Sequence, residues 1–256
     1  MDVSTANFVR AWRRVSYKRE LPEVLAYKKL TRHPRPDMAI QQLKEYTAKW
    51  PKDALAHYSL GILQLNVSKD PLSALKSIET SIRLKPKKGF FHVDLALALL
   101  AMKSEKTNKR AIEVALHATE LLPHAGESWC TLAAAYGASK RVYESIRSYK
   151  KSLFYDNYQP AVHRNLGHIF RSLSQKRDAA EHYKQSLILD PRHRQAYLDY
   201  SNVLVSLGRT DEAARVLEEM TKYFSNTQKK LPVLIPRHIE IQQRIKEAEE
   251  FNKKRR

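Results

Sequence analysis

Three cationic or titratable side chains fall on one side of a predicted helix in the second half of the chain. Arg164, His168 and Arg171 are separated by four and then three residues, a spacing that places side chains on one face of an α-helix. Guanidinium and imidazolium groups form charge-assisted hydrogen bonds with phosphate and carboxylate oxygens. The spacing therefore predicts a cationic patch that binds a polyanion.

Further cations surround this patch in the sequence: Lys140, Arg141, Arg147, Lys150, Lys151, Lys176 and Arg177. Residues 140–194 hold twelve basic and five acidic residues, and the whole chain carries a net charge of +19 with an isoelectric point near 9.9. Clustered basic charge is typical of nucleic-acid binding, although anionic membranes and acidic proteins attract the same field. A solvated face without a ligand is the alternative.

Residues that carry catalysis or bind metals do not occur at useful spacings. Cys130 is the single cysteine, so one chain forms neither a disulfide nor a cysteine-based metal site. No two of His163, His168, His182 and His193 are four residues apart, the spacing that puts two ligands on one helical face. A glycine-rich phosphate loop is also absent from the sequence. We therefore expect no enzyme, no metal and no cofactor.

Small residues and prolines recur about every 34 residues along the chain. The first helix of each predicted unit carries a small residue, namely Gly61, Ala96, Ala133, Gly167 or Ser201. The second helix carries Ala39, Ala74, Ala111, Ser145, Ala179 or Ala213. Two helices and two short turns fill a unit of this length, and the small residues let the helices approach closely. The period predicts an all-α stack of helix–turn–helix units.

The pattern resembles the tetratricopeptide repeat family, on Leu132-Ala133 and Tyr136 in one unit and Leu166-Gly167, Ala179 and Asp190-Pro191 in the next. The resemblance implies a right-handed superhelical solenoid whose first helices line a concave groove. It places the array at 20–225, with a degenerate repeat at 20–51 and repeats at 54–86, 89–123, 126–157, 161–193 and 194–225. Residues 104–109 are expected to form a polar loop inside the second of these repeats.

An apolar strip is expected in the groove of the earlier repeats. Tyr58, Ile62, Val93 and Leu97 would point into the groove or lie beside it. Such a strip could hold a partner helix or an extended peptide. The competing interpretation is that these residues belong to the core, which is the usual place for apolar stripes at helical spacing.

The segments that flank the array are basic. Residues 1–19 place Phe8, Trp12 and Val15 on one helical stripe among arginines and lysines. This segment is interpreted as a helix docked on the first repeat, as a mitochondrial presequence, or as a basic arm on RNA or membrane. Residues 226–256 are predicted to form a capping helix and a basic tail. No apolar run is long enough to span a membrane.

These observations predict a non-catalytic scaffold or adaptor subunit of a large ribonucleoprotein, with an organellar (mitochondrial) ribosome as one setting. The protein would contact RNA phosphates through its basic patches and the proteins of a multi-subunit complex through its groove, without a small-molecule substrate. The alternative is a protein–protein adaptor or receptor with no RNA role, whose basic surface meets an acidic partner or a membrane surface. An intracellular location is expected, with mitochondria favoured over cytoplasm or nucleus.

Overall fold

The computed structural model describes residues 36–229, and within that range it contains eleven α-helices and no strand. The helices are α1 (Pro36–Lys49), α2 (Ala54–Asn66), α3 (Pro71–Leu84), α4 (Gly89–Ala101), α5 (Glu105–Leu121), α6 (Gly126–Ala138), α7 (Val142–Tyr155), α8 (Pro160–Ser172), α9 (Lys176–Leu189), α10 (Arg194–Ser206) and α11 (Thr210–Lys229). The segments 1–19 and 230–256 and the first half of the degenerate repeat at 20–51 lie outside the described residues.

The chain divides into two compact units, Met1–Tyr155 and Asp156–Arg256. In the first unit α2 packs on α3, α4 on α5 and α6 on α7, and α1 packs against α2. In the second unit α8 packs on α9 and α10 on α11. Each pair is a helical hairpin with a short turn. The predicted fold class, an all-α arrangement of helix–turn–helix repeats, is confirmed.

The prediction of a polar loop at residues 104–109 is wrong, because the helix α5 already begins at Glu105. Ser104 and Thr107 form a capping box, in which each side chain accepts a hydrogen bond from the backbone N–H of the other. These contacts satisfy N–H groups that would otherwise lack a partner at the start of the helix. Of the predicted loop, only Ser104 lies outside α5.

Close contact at small residues joins the two helices of a hairpin. A Cβ atom on Gly61 of α2 would lie 2.6 Å from Ile78 Cγ1 and 3.1 Å from the carbonyl oxygen of Ala74, both on α3. In the third hairpin Ser145 replaces the usual alanine, and its hydroxyl donates a 2.8 Å hydrogen bond to the carbonyl of Ala133. A serine is tolerated at this fully buried position because its polar group has a partner.

The core of each unit consists of the residues that face the hairpin interior. In the first unit Phe91 is fully buried, and the Tyr58 and Phe91 ring centroids lie 4.7 Å apart. In the second unit Tyr183 is fully buried against Gly167, where a Cβ atom would lie 2.7 Å from Tyr183 Cε1. Glycine is needed here because the rigid ring occupies the space that a methyl group would take.

Gly61→Ala and Gly167→Ala should each lower the free energy of unfolding by about 1–3 kcal/mol, because the added methyl group overpacks the hairpin interior. Thermal or denaturant unfolding measures the change. Gly137→Ala is the matched control, since its Cβ would meet only Ser145 Oγ at 3.4 Å, an ordinary contact. Equal effects at all three positions would contradict the close-packing explanation.

Candidate polyanion-binding surface

Two side chains of the patch predicted on α8 lie beside a carboxylate from the next hairpin. Arg171 Nη1 lies 3.2 Å from Asp199 Oδ1 on α10, and His168 Nε2 lies 3.7 Å from Asp199 Oδ2. Asp199 is only 5% exposed, and Tyr183 Oη lies within hydrogen-bond distance, 2.8 Å, of His168 Nδ1. A polyanion would therefore have to compete with Asp199 for Arg171 and His168.

Arg164, the third residue of that patch, is partly buried. Burial lowers the pKa of its guanidinium, whereas the carboxylates of Asp190 and Asp199 act in the opposite direction. Burial also lowers the pKa of the His168 imidazole, again opposed by Asp199. The helical spacing of the three residues was visible in the sequence, but the buried acid that faces them from the following repeat was not. Asp199 therefore offsets part of the positive charge of the α8 patch, and the polyanion site there stays a prediction.

Two of the predicted cations on α7 are, by contrast, open to solvent. Arg147 and Lys150 are exposed, and within residues 36–229 neither has an ion-pair partner. The only carboxylate on α7 is Glu144, whose Oε1 lies 2.8 Å from Arg141 Nη2. Arg147 and Lys150 thus carry uncompensated charge.

Three of the remaining predicted cations, Arg141, Lys151 and Lys176, have local contacts. Arg141 lies over the Tyr136 ring and Lys151 lies over the Trp129 ring, 3.6 Å from its centroid. Lys176 Nζ donates to the carbonyl of Ser206 at 3.1 Å. Arg177 lines a cleft of about 370 Å³ together with Lys184, Arg209, Glu181 and Glu212. In that cleft the two acids offset most of the positive charge.

Aromatic residues flank the open cations of α7. The side chains of Tyr143 and Phe154 are 80% and 82% exposed. Tyr143, Arg147, Lys150 and Phe154 are separated by four, three and four residues, which puts them on one face of the helix over about 16 Å. We call these four residues the α7 stripe. Their spacing was readable from the sequence, but the exposure of the two rings required the packing of α7.

Three lysines occupy backbone conformations that normally favour glycine. Lys69, Lys103 and Lys140 have φ values of 53°, 51° and 61° and lie in the turns of three successive hairpins of the first unit. The turn of the last hairpin has Gly208 in the corresponding place, with a φ of 76°. A left-handed conformation costs a non-glycine residue about 1–2 kcal/mol. All three lysines are exposed, and their residue type alone did not identify them as a set.

Hydrogen bonds define this turn as a helix C-cap. The N–H of Arg141 donates to the carbonyl of Tyr136 at 2.9 Å, and the N–H of Asp70 donates to that of Gln64 at 3.0 Å. The bond from Arg141 spans five residues and is the long bond of the Schellman motif, in which Lys140 holds the left-handed position that is usually glycine. The bond from Asp70 spans six residues, so the turn at Lys69 closes differently. Asn108 Nδ2 also donates to the carbonyl of Ala138 at 3.2 Å, so the turns that carry Lys103 and Lys140 are neighbours.

The structure places three of the four predicted groove residues in the core. Tyr58, Ile62 and Val93 are buried, and only Leu97 is substantially exposed, at 39%. Tyr58 packs on the Phe90 and Phe91 rings, and its hydroxyl donates a 2.5 Å hydrogen bond to Asp94 Oδ2. The apolar stripe therefore follows the core interpretation, and the predicted peptide strip is wrong for Tyr58, Ile62 and Val93.

Asp94 has a strongly raised pKa among the described acids of the first unit. Burial raises the pKa of its carboxyl group to about 7, the negative charge of Glu127 adds to the increase, and the hydrogen bond from Tyr58 acts against it. Near neutral pH the protonated and charged forms of Asp94 are therefore both populated.

Two histidines that are far apart in sequence meet in the second unit. His163 Nδ1 and His182 Nδ1 are 3.1 Å apart, and the Phe170 ring stacks on His182. Burial, followed by the neighbouring His182, lowers the pKa of His163 to about 4. Among the described residues, no group of three or more His, Cys, Asp or Glu side chains is arranged to hold a metal ion.

The profile of the Tetratricopeptide repeat family matches residues 175–228, a span that covers nearly all of α9 to α11. None of the curated proteins matches the sequence. In the described range no helix is both long and apolar enough to cross a membrane.

Solved structures share the fold at low sequence identity. PilF of Pseudomonas aeruginosa superposes with a TM-score of 0.64 and 16% identity, covering 87% of this chain and 95% of PilF. A thermophilic tetratricopeptide protein of Thermus thermophilus gives 0.60 and 19%, covering 70% of this chain and 96% of its own. Human IFIT1, as a dimer with PPP-AAAA, gives 0.57 and 18%, covering 73% of this chain and 45% of its own. At these identities the likeness supports the fold alone.

Lys69→Gly, Lys103→Gly and Lys140→Gly should each raise the free energy of unfolding by about 0.5–1 kcal/mol, because glycine adopts the left-handed conformation without the steric cost. Chemical denaturation measures the change. The control is Lys76→Gly on the exposed face of α3. This variant should have a free energy of unfolding about 1 kcal/mol lower, because glycine is unfavourable inside a helix. If the three turn variants also had a lower free energy of unfolding, the turn lysines would not be strained.

Asp94→Asn should become more stable than the wild type as pH rises. The folded protein holds the Asp94 proton more tightly than the unfolded chain, so this group's contribution is full below about pH 4 and is lost as pH rises towards 7. Asparagine imitates the neutral acid, so the variant should gain about 1–2 kcal/mol over wild type by pH 8, a value discounted for partial exposure. The measurement is the difference in unfolding free energy between pH 4 and 8.

The titration of His163 occurs in both the wild type and the Asp94→Asn variant, so its contribution cancels when their unfolding free energies are compared. Its lowered pKa acts with the opposite sign, since that contribution is lost as pH falls from about 6.5 towards 4. A difference between wild type and Asp94→Asn that stays constant over the whole pH range would show that the pKa of Asp94 is not raised.

Proposed function

Because the chain is built of tetratricopeptide repeats, we propose that it is a non-catalytic scaffold subunit of a large ribonucleoprotein. The repeats hold protein neighbours, and the basic surface of the first unit contacts RNA phosphates. The observation that carries the proposal is the uncompensated charge of Arg147 and Lys150 on α7, close in sequence to the exposed turn lysine Lys140. Phosphate contacts of this kind position a protein on RNA without reading its sequence.

The charge of the whole chain supports the same conclusion. A net charge of +19 creates a long-range field that attracts polyanions and increases their association rate. Human IFIT1, which shares the fold, has been solved with PPP-AAAA, so the repeat architecture is compatible with RNA binding. A mitochondrial setting, including an organellar ribosome, is part of the proposal and rests on the basic, amphipathic sequence of residues 1–19.

A protein–protein adaptor with no RNA role is the second candidate. Trp50 and Leu72 in the first unit are more than half exposed, and such apolar side chains fit a protein neighbour. The two candidates differ in what the cations of the first unit bind. An acidic protein would use them without any RNA, so the RNA-binding experiment below separates the candidates.

Removing four uncompensated cations should weaken RNA binding and reduce its salt dependence. The variant combines Lys103→Gly, Lys140→Gly, Arg147→Gln and Lys150→Gln. If each cation contacts one phosphate, the slope of log K against log salt should fall by about 3, since a single strand contributes about 0.7 per contact. Fluorescence anisotropy of a labelled RNA between 50 and 200 mM salt (about the range over which the effect is large) measures it.

The matched control removes four charges that already face carboxylates. It combines Lys109→Gln, Arg110→Gln, Arg192→Gln and Lys222→Gln, whose partners are Glu105, Glu79, Asp190 and Glu218. Both variants have the same net charge, so a general field effect would weaken both equally. The proposal expects the first variant to lose far more affinity than the control, and equal losses would contradict a localised RNA contact.

A further inference from the structure

The α7 stripe contains two rings whose exposure the charge of the surface does not explain. Phosphate binding needs Arg147 and Lys150, but it gives no reason for Tyr143 and Phe154 to be 80% and 82% exposed on either side of them. The Phe154 ring packs edge to face on Tyr155, with centroids 5.2 Å apart, and Tyr155 contacts His124 of the same unit. Phe154 is thus supported on one side by neighbouring rings while most of its surface remains open.

The opposite face of α7 is fixed by the hairpin. Ser145 donates to the carbonyl of Ala133, Ser152 donates to the carbonyl of Gly126 at 2.7 Å, and Tyr149 is buried. These contacts fix the rotation of the helix. The ring–cation–cation–ring order of the stripe is therefore presented on a rigid element over about 16 Å.

We propose that the α7 stripe binds single-stranded RNA. Bases stack on the rings of Tyr143 and Phe154, and the phosphates between those bases contact Arg147 and Lys150. This inference rests on the proposed function and specifies the form of RNA that this surface takes. Aromatic rings that flank cations are the usual means of binding a single strand without a sequence preference, because every base has a face that can stack.

The composition of the stripe favours a single strand over other occupants. In a duplex the bases are stacked on one another, so an exposed ring on a helix surface cannot reach their faces. A docked protein helix would need aliphatic residues at the centre of the stripe, where Arg147 and Lys150 lie instead. The stripe contains no carboxylate, so nothing on it repels a phosphate backbone.

The test uses the full chain with a labelled 12-nucleotide oligouridylate as the probe. Tyr143→Leu and Phe154→Leu keep apolar bulk but remove the aromatic face. Each should weaken binding about tenfold, and the salt slope should be unchanged because the rings carry no charge. The thermal midpoint should also be unchanged, since both side chains are exposed. Trp50→Leu is the matched control, an exposed aromatic in the same unit that should have no effect on affinity.

Three results would overturn the inference. The first is full affinity in the Tyr143→Leu/Phe154→Leu double variant, which would mean that the rings serve only as apolar area. The second is equal affinity for the oligouridylate and for an RNA duplex of the same length. The third is tighter binding to phosphatidylserine vesicles than to the oligouridylate, with the vesicle binding lost in the same double variant, which would assign the stripe to a membrane surface.

The result separates this inference from the proposed function. If removing the four cations weakens RNA binding but removing both rings does not, the stacking inference fails and the ribonucleoprotein proposal stands. If wild-type protein binds neither single-stranded nor duplex RNA at low salt, both fail. If both sets of variants weaken binding, and only the cation variant changes the salt slope, both are supported.

Discussion

The close approach of two helices at small residues is the contact on which each hairpin depends. Because Gly61 has no side chain, α3 packs in van der Waals contact with α2. Because Gly167 has none, the Tyr183 ring of α9 packs directly against α8. In the third hairpin, Ser145 reaches Ala133 by a hydrogen bond. This constraint fixes which face of each helix is inside. The outward face of α7 is therefore a consequence of the packing of its inward face.

The cations available to an anionic partner are those that no carboxylate of the protein neutralises. The second unit carries many of the cations that the sequence pattern singles out, but Asp199 holds Arg171 and His168, and Asp190 holds Arg192. On α7 the single acid pairs with Arg141 and leaves Arg147 and Lys150 open. A partner of high negative charge would consequently meet less competition on α7 than on α8.

The fold could be predicted because it is encoded in a local pattern. Leu166-Gly167, Ala179 and Asp190-Pro191 repeat at a fixed period, and each landmark acts within its own hairpin. The capping box of Ser104 and Thr107 has threonine where the usual sequence signature has Glu or Gln, so the polar run at 104–109 led to the wrong prediction of a loop. The candidate site was less predictable. Asp199 reaches Arg171 from 28 residues away, and Tyr58 reaches Asp94 from 36 residues away. Spacing on one helix does not reveal such partners from the next repeat.

A role as an RNA-contacting scaffold within a larger particle is tested most directly by purifying the native protein from its source. The purification is done with and without ribonuclease treatment and is followed by sedimentation and identification of the bound molecules. We predict that the untreated protein sediments with RNA and several proteins, and that ribonuclease releases it into a smaller species. An unchanged protein complex that contains no RNA before treatment would contradict this role and identify a protein–protein adaptor.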